Sequence, residues 1–225
     1  MNQQLITYLK ENADPVYRDF TKSLTPDAGE MIGVRIPVIR KLAKELSKSG
    51  DLSVLDESVY YYEEKLLLGI LLGIMPLEYS ERKERIRAFV PLIDNWAVCD
   101  TAVPGFKFVK SNREDMYLFL EDYINSDREF FARFAAIMLK CYYINDEYIE
   151  KTLYSLGRIN TEKYYSSMGV AWALSECFIK YREATLPYLS EEYFDFPTLK
   201  RTVRKLCDSY RVSKEDKIML GTVKK

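Results

Sequence analysis

The stretch that decides the fold is residues 125–143, which read NSDREFFARFAAIMLKCYY. Small polar residues that favour helix N-termini precede a run in which apolar residues recur every three or four positions. The same arrangement returns twice further along the chain. Three long helices are therefore predicted to begin near Asp127, Thr161 and Pro197, about 34 and 36 residues apart.

A shorter helix is predicted between the first two long ones, from a cap at Asn145 and Asp146 to about Leu156. A period of this length with two helices per unit is typical of an α-solenoid, in which each unit is too thin to bury its own apolar stripe and must stack on its neighbours. We therefore predict an all-α fold of HEAT-like repeats, stacked as a curved solenoid with a concave face, in a single domain over residues 1–225. A compact irregular helical bundle is the alternative.

The first half of the chain has the same helical periodicity and no long alternation of apolar and polar residues. Pro37 is predicted to open a helix, because proline loses no hydrogen bond at the first helical position. The longest apolar run, Leu66 to Met75, has ten residues, which is too short for a membrane span and indicates a buried helix. Gly69 and Gly73 within it predict a close approach of another helix.

Composition excludes several classes of site. The chain has 225 residues, of which 48% are hydrophobic, and it contains no histidine, which removes histidine acid–base catalysis and histidine metal sites. Its four cysteines are widely spaced within apolar patterns and show no zinc-ligand spacing, so we predict reduced thiols and no metal or other cofactor. No secretion signal is recognisable at the start, and we expect a cytoplasmic monomer.

The charge is unevenly distributed along the chain. Residues 198–225 carry nine Lys or Arg against three acidic residues, a net charge of +6, whereas residues 1–197 carry 24 basic and 31 acidic residues, a net charge of −7. Such a chain can present a basic face to phosphate while staying nearly neutral overall. A solvated pair of terminal helices explains the same basic run without a ligand.

The strongest candidate for chemistry is residues 93–100, which read IDNWAVCD. Trp96, one of two tryptophans, precedes Asp100 by four residues, a spacing that places both side chains on one face of a helix. An aromatic face beside a carboxylate is suited to a cationic group, or to one that becomes cationic during a reaction. The alternative is a core tryptophan whose neighbouring aspartate caps a helix or forms an ion pair.

Several stretches, taken in order, resemble one known family over nearly the whole length of the chain. They are GVRIP (33–37), RKLA (40–43), EEKLLLG (63–69), IDNWAVCD (93–100), RFAAI (133–137), VAWAL (170–174) and DSYRVSKEDK (208–217). Together they resemble the AlkD-like DNA alkylation repair family, and the aspartate-asparagine-tryptophan motif is their most specific part. The resemblance implies HEAT-like helical pairs that form a C-shaped cleft around duplex DNA.

The resemblance also implies an activity and roles for individual residues. The best-known branch of the family is similar to a glycosylase that excises positively charged N3- and N7-alkylated purines without a metal. By this resemblance, Trp96 and Trp172 would be aromatic walls against the deoxyribose of the lesion, and Asp100 would stabilise the oxocarbenium ion and position water. Arg133 is the nearest match to an arginine that contacts the DNA backbone, and Phe134 is the other candidate for that position.

The chemistry suits these residue types independently of the resemblance. A cationic purine is already a good leaving group, so its cleavage needs little acid catalysis and no histidine. What remains is to stabilise positive charge on the sugar, which a carboxylate and aromatic faces provide. The partner is predicted to be double-stranded DNA, whose phosphates basic side chains would contact without sequence preference. The candidates for these contacts are Arg133, Arg35, Arg40, Lys41, Arg201, Arg204, Lys205, Arg211 and Lys214.

Three functions remain open at this point. The first is a glycosylase acting on alkylated DNA. The second is a non-catalytic relative that binds bent, branched or damaged DNA, with a strong dependence on salt and no release of base. The third is a solenoid that binds proteins, which the net charge of −7 over residues 1–197 favours if those acidic residues line the groove.

Overall fold

The computed structural model describes residues 3–222, and within that range the secondary structure is helical with no β-strand. Lys224 and Lys225 of the basic C-terminal run lie outside the described residues. The prediction of an all-α fold is confirmed. The chain divides into two compact units, Met1–Phe108 and Val109–Lys225, and the single repeat domain stays a prediction. None of the helices in the described part combines the length and the apolar character that crossing a membrane requires.

Six α-helices are found in the described residues of the first unit. They are α1 (Gln3–Glu11), α2 (Pro15–Leu24), α3 (Ile36–Ser49), α4 (Tyr62–Ile74), α5 (Tyr79–Phe89) and α6 (Trp96–Ala102). Helix α4 carries the long apolar run and is buried along most of its length, packed against α3, α5 and α6. The prediction of a buried helix over this run is confirmed.

The two glycines of α4 permit close contact with the segment that contains α6. A Cβ atom added to Gly69 would lie 2.6 Å from the Cβ of Ala102, and one added to Gly73 would lie 2.8 Å from the carbonyl oxygen of Gly105. No side chain fits at such distances, so the predicted close approach is confirmed. The packing of α6 on α4 therefore depends on the absence of side chains at these positions.

A buried glutamate holds the turn that leads into α3. Glu63 is fully buried, and its carboxylate accepts the backbone N–H groups of Ile32 at 3.0 Å, Gly33 at 2.7 Å and Val34 at 3.2 Å. Gly33 has a φ of +101°, a conformation that favours glycine. Because three main-chain donors converge on one carboxylate, the turn before Arg35 has a fixed conformation.

An arginine side chain closes the C-terminal end of α4. Arg82 of α5 is buried, and its guanidinium donates to the carbonyl oxygens of Leu72, Met75 and Leu77, at 2.6 Å for Met75 and 3.4 Å for Leu77. Its guanidinium carbon lies 4.9 Å from the centre of the Phe108 ring. The last carbonyls of a helix have no partner within the helix, and here one side chain supplies it.

The second unit contains the remaining helices. They are α7 (Arg113–Ile124), α8 (Glu129–Tyr142), α9 (Ile149–Arg158), α10 (Tyr164–Lys180), the short α11 (Arg182–Thr185), α12 (Phe196–Asp208) and α13 (Lys214–Thr222). Helices α8, α10 and α12 pack successively on one another, and so do α7, α9 and α11. This is the layered arrangement of helical repeats, and the prediction of a solenoid repeat is confirmed.

The repeat period is visible in the hydrogen bonds between neighbouring repeats. Helices α8, α10 and α12 begin 35 and 32 residues apart. Side-chain bonds join residues separated by nearly the same distance along the chain: Arg158 to Glu121 over 37 residues, Arg201 to Ser167 over 34 and Tyr181 to Asp146 over 35. Each repeat thus bonds to equivalent positions of the next.

The predicted starts of two long helices are corrected by two or three residues. Helix α8 begins at Glu129, and Asp127 accepts the side-chain N–H of Asn160 at 3.1 Å instead of capping the helix. Helix α10 begins at Tyr164, and the Thr161 hydroxyl donates to Asp195. In both cases the predicted cap residue bonds to the adjacent repeat, which local sequence does not reveal.

Candidate functional site

Helix α6 displays the tryptophan and the aspartate together. Trp96 is its first residue, and Asp100 follows one turn later, so the spacing predicted from the sequence does fall on a helix. Ala97, Val98 and Cys99 between them are buried, whereas Trp96 and Asp100 are both partly exposed. The indole and the carboxylate therefore occupy the accessible face of a helix whose other face is packed.

The start of α6 is fixed by a chain of polar contacts. Asn95 is the N-cap: its side-chain oxygen accepts the backbone N–H of Val98 at 3.0 Å, and its amide donates to Asp94 at 2.8 Å. The other oxygen of Asp94 pairs with the ammonium of Lys65 at 2.5 Å. Lys65 lies on α4, so the cap of α6 is anchored to the central helix of the unit.

The indole of Trp96 is oriented by a hydrogen bond at its edge. The indole Nε1–H donates to the carbonyl oxygen of Leu24, the last residue of α2, at 3.1 Å. This bond uses the indole N–H, and Trp96 remains partly exposed. Trp96 is therefore not a fully buried core tryptophan, and the role of the neighbouring Asp100 stays a prediction.

Trp172 lies in the second unit, on α10, and a lysine ammonium lies over its ring. The ammonium of Lys140 is 3.4 Å from the ring centre, and that of Lys205 is 5.8 Å from it. An open groove of about 290 Å³ beside the ring is also lined by Glu176 and Arg211. Arg211 donates two hydrogen bonds to Glu176, at 3.1 and 2.5 Å, and this bonding lowers the pKa of the Glu176 carboxyl.

Arg133 differs from the expected position of a residue that contacts the DNA backbone. It is only 5% exposed, and its guanidinium donates to the carbonyl oxygen of Tyr165 at 2.9 Å. Its side chain passes close to Gly169, where an added Cβ would lie 3.3 Å from the Cγ of Arg133. Phe134 is fully buried. A phosphate contact through Arg133 would therefore have to reach a side chain that is almost entirely buried.

The family to which these elements belong follows from sequence comparison. A family model described as DNA alkylation repair enzyme matches residues 5–205. The chain belongs to the DNA alkylation repair enzyme family. The matched region contains α6 and α10 and ends within α12. Comparison with curated proteins gives no match.

Apart from Arg133, the basic residues predicted to bind DNA in this family member fall into two groups. Arg35, Arg40 and Lys41 are exposed at the start of α3. Arg35 donates to Asp14 through Nε at 3.0 Å and through Nη2 at 2.7 Å. The pKa of Asp14 is lowered by the backbone N–H of Tyr17 and by this arginine. Arg35 is therefore engaged within its own unit, while Arg40 and Lys41 project outward.

The second basic group belongs to α12 and the segment after it. Arg204, Arg211 and Lys214 are exposed, while Arg201 and Lys205 are partly buried against α10. Arg201 donates to the Ser167 hydroxyl at 2.7 Å, and its guanidinium carbon lies 5.1 Å from the Tyr164 ring centre. In this group, cations lie against aromatic rings of the neighbouring repeat. These contacts hold the cationic side chains close to the protein surface.

Several residues around these positions were missed by sequence reasoning. Lys140 and Glu176, the neighbours of Trp172 and Arg211, are among them. Lys140 precedes Trp172 by 32 residues and Glu176 precedes Arg211 by 35, so a search one repeat away would have found both. Lys65 could not have been found in this way, because no repeat spacing in the first unit connects it to its partner Asp94.

Proposed function

We propose that this member of the DNA alkylation repair enzyme family is a DNA glycosylase. It hydrolyses the N-glycosidic bond of positively charged N3- or N7-alkylated purines in duplex DNA without a metal ion, as a cytoplasmic monomer. The observation that carries the proposal is the accessible pair of Trp96 and Asp100 on a helix fixed by Asn95. The match of the family to residues 5–205 supports a role in DNA repair.

The proposed reaction needs only groups that α6 displays. The C1′–N bond breaks, its electron pair goes to the cationic purine, and the base leaves as a neutral molecule. The sugar becomes an oxocarbenium ion, to which water adds at C1′ with release of a proton. The carboxylate of Asp100 stabilises the positive charge and orients the water, and the face of Trp96 contributes its negative π density. No histidine is required for any step.

Trp172 is proposed as a second aromatic contact with the sugar of the lesion. One face of its ring already carries the ammonium of Lys140 at 3.4 Å. Contact with deoxyribose therefore uses the opposite face or the ring edge. The exposed basic residues of α3 and α12 are proposed to supply phosphate contacts, which hold the duplex without reading its sequence.

The test is release of 7-methylguanine from N-methylated duplex DNA in the presence of EDTA. We expect release by the wild type and a loss of at least about 100-fold in Asp100→Asn, because an amide does not stabilise a cation as a carboxylate does. Asp27→Asn, which removes an exposed carboxylate of the same unit, is the matched control and should remain active. Equal release by wild type and Asp100→Asn would refute the proposed mechanism.

A non-catalytic DNA-binding relative is the second candidate, and the environment of Arg133 favours it. The guanidinium expected to anchor the backbone at the lesion is buried and bonded to Tyr165. This candidate predicts binding to duplex DNA that weakens steeply with salt, with no base released in the same assay. Release that depends on Asp100 would eliminate it.

A further inference from the structure

The contact between Lys140 and Trp172 places the lysine ammonium in a geometry suited to binding an anion. Lys140 lies in the last turn of α8, and its ammonium is 3.4 Å from the centre of the indole ring on α10. An ammonium has three N–H donors in tetrahedral geometry, and contact with one aromatic face does not use all of them. The ring thus restrains the ammonium while leaving it N–H donors for an anion.

The charges around Trp172 leave an excess of positive charge. Lys205 lies 5.8 Å from the ring centre on the α12 side, and Lys180 and Lys140 both act on the Glu176 carboxylate. Glu176 itself is bonded twice by Arg211, so its charge is already matched by a guanidinium. The remaining acidic group lining the groove is Asp208, at the exposed end of α12. The groove and the two lysines that act on Glu176 together contribute four cations and two carboxylates.

We propose that Lys140, held on the indole of Trp172, binds a backbone phosphate of duplex DNA, with Trp172 acting as its positioning residue. The identity of the ligand as duplex DNA rests on the proposed function. A lysine that is restrained before binding loses less side-chain freedom when it meets phosphate than a fully solvated one does. Lys140 is thus a DNA-binding residue that is separate from the exposed groups on α3 and α12.

The proposal makes Lys140 and Trp172 one functional pair. If the indole positions the ammonium, removing the ring removes the contribution of the lysine as well. The two substitutions then cost less together than the sum of their separate costs, which is the signature of coupled residues in a double-mutant cycle. Independent contacts with DNA by each side chain would instead give additive costs.

The experiment measures binding of unmodified duplex DNA by fluorescence anisotropy as a function of salt. It uses the full-length protein, Lys140→Met, Trp172→Leu, the double variant and Trp172→Phe, each first checked for a wild-type thermal transition. Loss of one phosphate contact lowers the slope of log K against log salt by about 0.9 and the affinity by about 5-fold at moderate salt. Lys151→Met is the matched control, because its ammonium also lies over a ring, that of Tyr148 at 5.3 Å.

Lys140→Met is expected to reduce the slope of log K against log salt in the wild-type protein. The same substitution should cause no further reduction in the Trp172→Leu protein. Trp172→Phe retains a ring face and should preserve the effect of Lys140. The proposal is overturned if Lys140→Met binds DNA as the wild type does, or if Lys151→Met weakens binding as much as Lys140→Met. Additive costs of the Lys140 and Trp172 substitutions overturn it as well. A wild type with no salt-dependent binding overturns it too. Base release is measured separately. If the wild type releases no base but Lys140→Met still lowers the salt slope, the proposed glycosylase activity is disproved and the proposal for Lys140 is not.

Discussion

The side-chain oxygen of Asn95 accepts the backbone N–H of Val98 at 3.0 Å and thereby caps the helix that presents Trp96 and Asp100. Asn95 is only 3% exposed, and its amide also donates to Asp94, which pairs with Lys65. The cap, the carboxylate and the ammonium form one continuous connection from α6 to α4. The orientation of the helix that carries the proposed catalytic residues is therefore set by residues other than Trp96 and Asp100.

The first prediction separates the two roles of Asn95. Asn95→Ala removes both the cap and the bond to Asp94 and should lower the free energy of unfolding by about 1–2 kcal/mol. Asn95→Ser keeps a capping oxygen and should recover much of that loss. Chemical denaturation measures both, and the rate of base release at saturating DNA should fall more in the alanine variant. Equal stability of the two variants would contradict the capping role.

The second prediction concerns the contact of α4 with α6. Gly69→Ala places a methyl group 2.6 Å from the Cβ of Ala102 and 2.8 Å from the Phe89 ring, so the helices must separate. We expect a loss of about 1–3 kcal/mol in unfolding free energy and a slower release of base, because α6 moves with Ala102. Gly157→Ala is the control: its added methyl lies 3.6 Å from the nearest atom. That change in helix α9 should stabilise by up to about 1 kcal/mol.

The third prediction concerns the buried carboxylate of Glu63. Glu63→Gln can keep the bonds from Gly33 and Val34 to one oxygen, but its amide group then faces the N–H of Ile32, donor against donor. We expect a loss of about 2 kcal/mol, since a buried donor is left unpaired. Thermal unfolding compares it with Glu78→Gln, an exposed residue where little change is expected. A loss of the same size at Glu78 would show that charge alone is responsible.

The fourth prediction is a pH dependence from Glu176. Hydrogen bonding by Arg211 lowers the pKa of this carboxyl in the folded protein, so the folded state holds fewer protons than the unfolded state across the acidic range. The stabilisation is complete above the ordinary glutamate pKa and is lost as pH falls through the lowered value. Its size is about 0.5 kcal/mol, because the guanidinium is half-exposed and solvent screens the pair.

The measurement for Glu176 is the difference in melting temperature between wild type and Glu176→Gln. It should be about 1–2 °C at neutral pH and should shrink toward zero in strong acid, where both side chains are neutral. A difference that is constant from neutral to strongly acidic pH would mean that the glutamate stabilises by packing and not by its charge.

Much of the fold could be predicted from helical periodicity and from the repeat spacing. The long runs through Lys180 and Asp208 end where the pattern ends, and Pro197 lies in the first turn of α12 as expected. The starts near Asp127 and Thr161 were wrong by two or three residues. Their polar side chains bond to the next repeat, and a local capping pattern contains no information about a partner more than thirty residues away.

The site was predictable in part. The Trp96–Asp100 spacing was interpreted correctly because a helix converts a separation of four residues into a shared face. The burial of Arg133 was not foreseen, since sequence cannot tell whether an arginine beside Phe134 meets solvent or a carbonyl such as that of Tyr165. The roles proposed for Asp100, Trp96 and Trp172 stay predictions.

The contacts of the Arg82 guanidinium determine which helices of the first unit unfold together. It joins the final carbonyls of α4 to α5 and lies over the ring of Phe108, so none of these segments can detach without breaking its contacts. Lysine has a single nitrogen and cannot reproduce this fork. Backbone amides of α4 and α5 should consequently exchange with deuterium together, in one cooperative opening, while the amides of the N-terminal helix α1 exchange earlier.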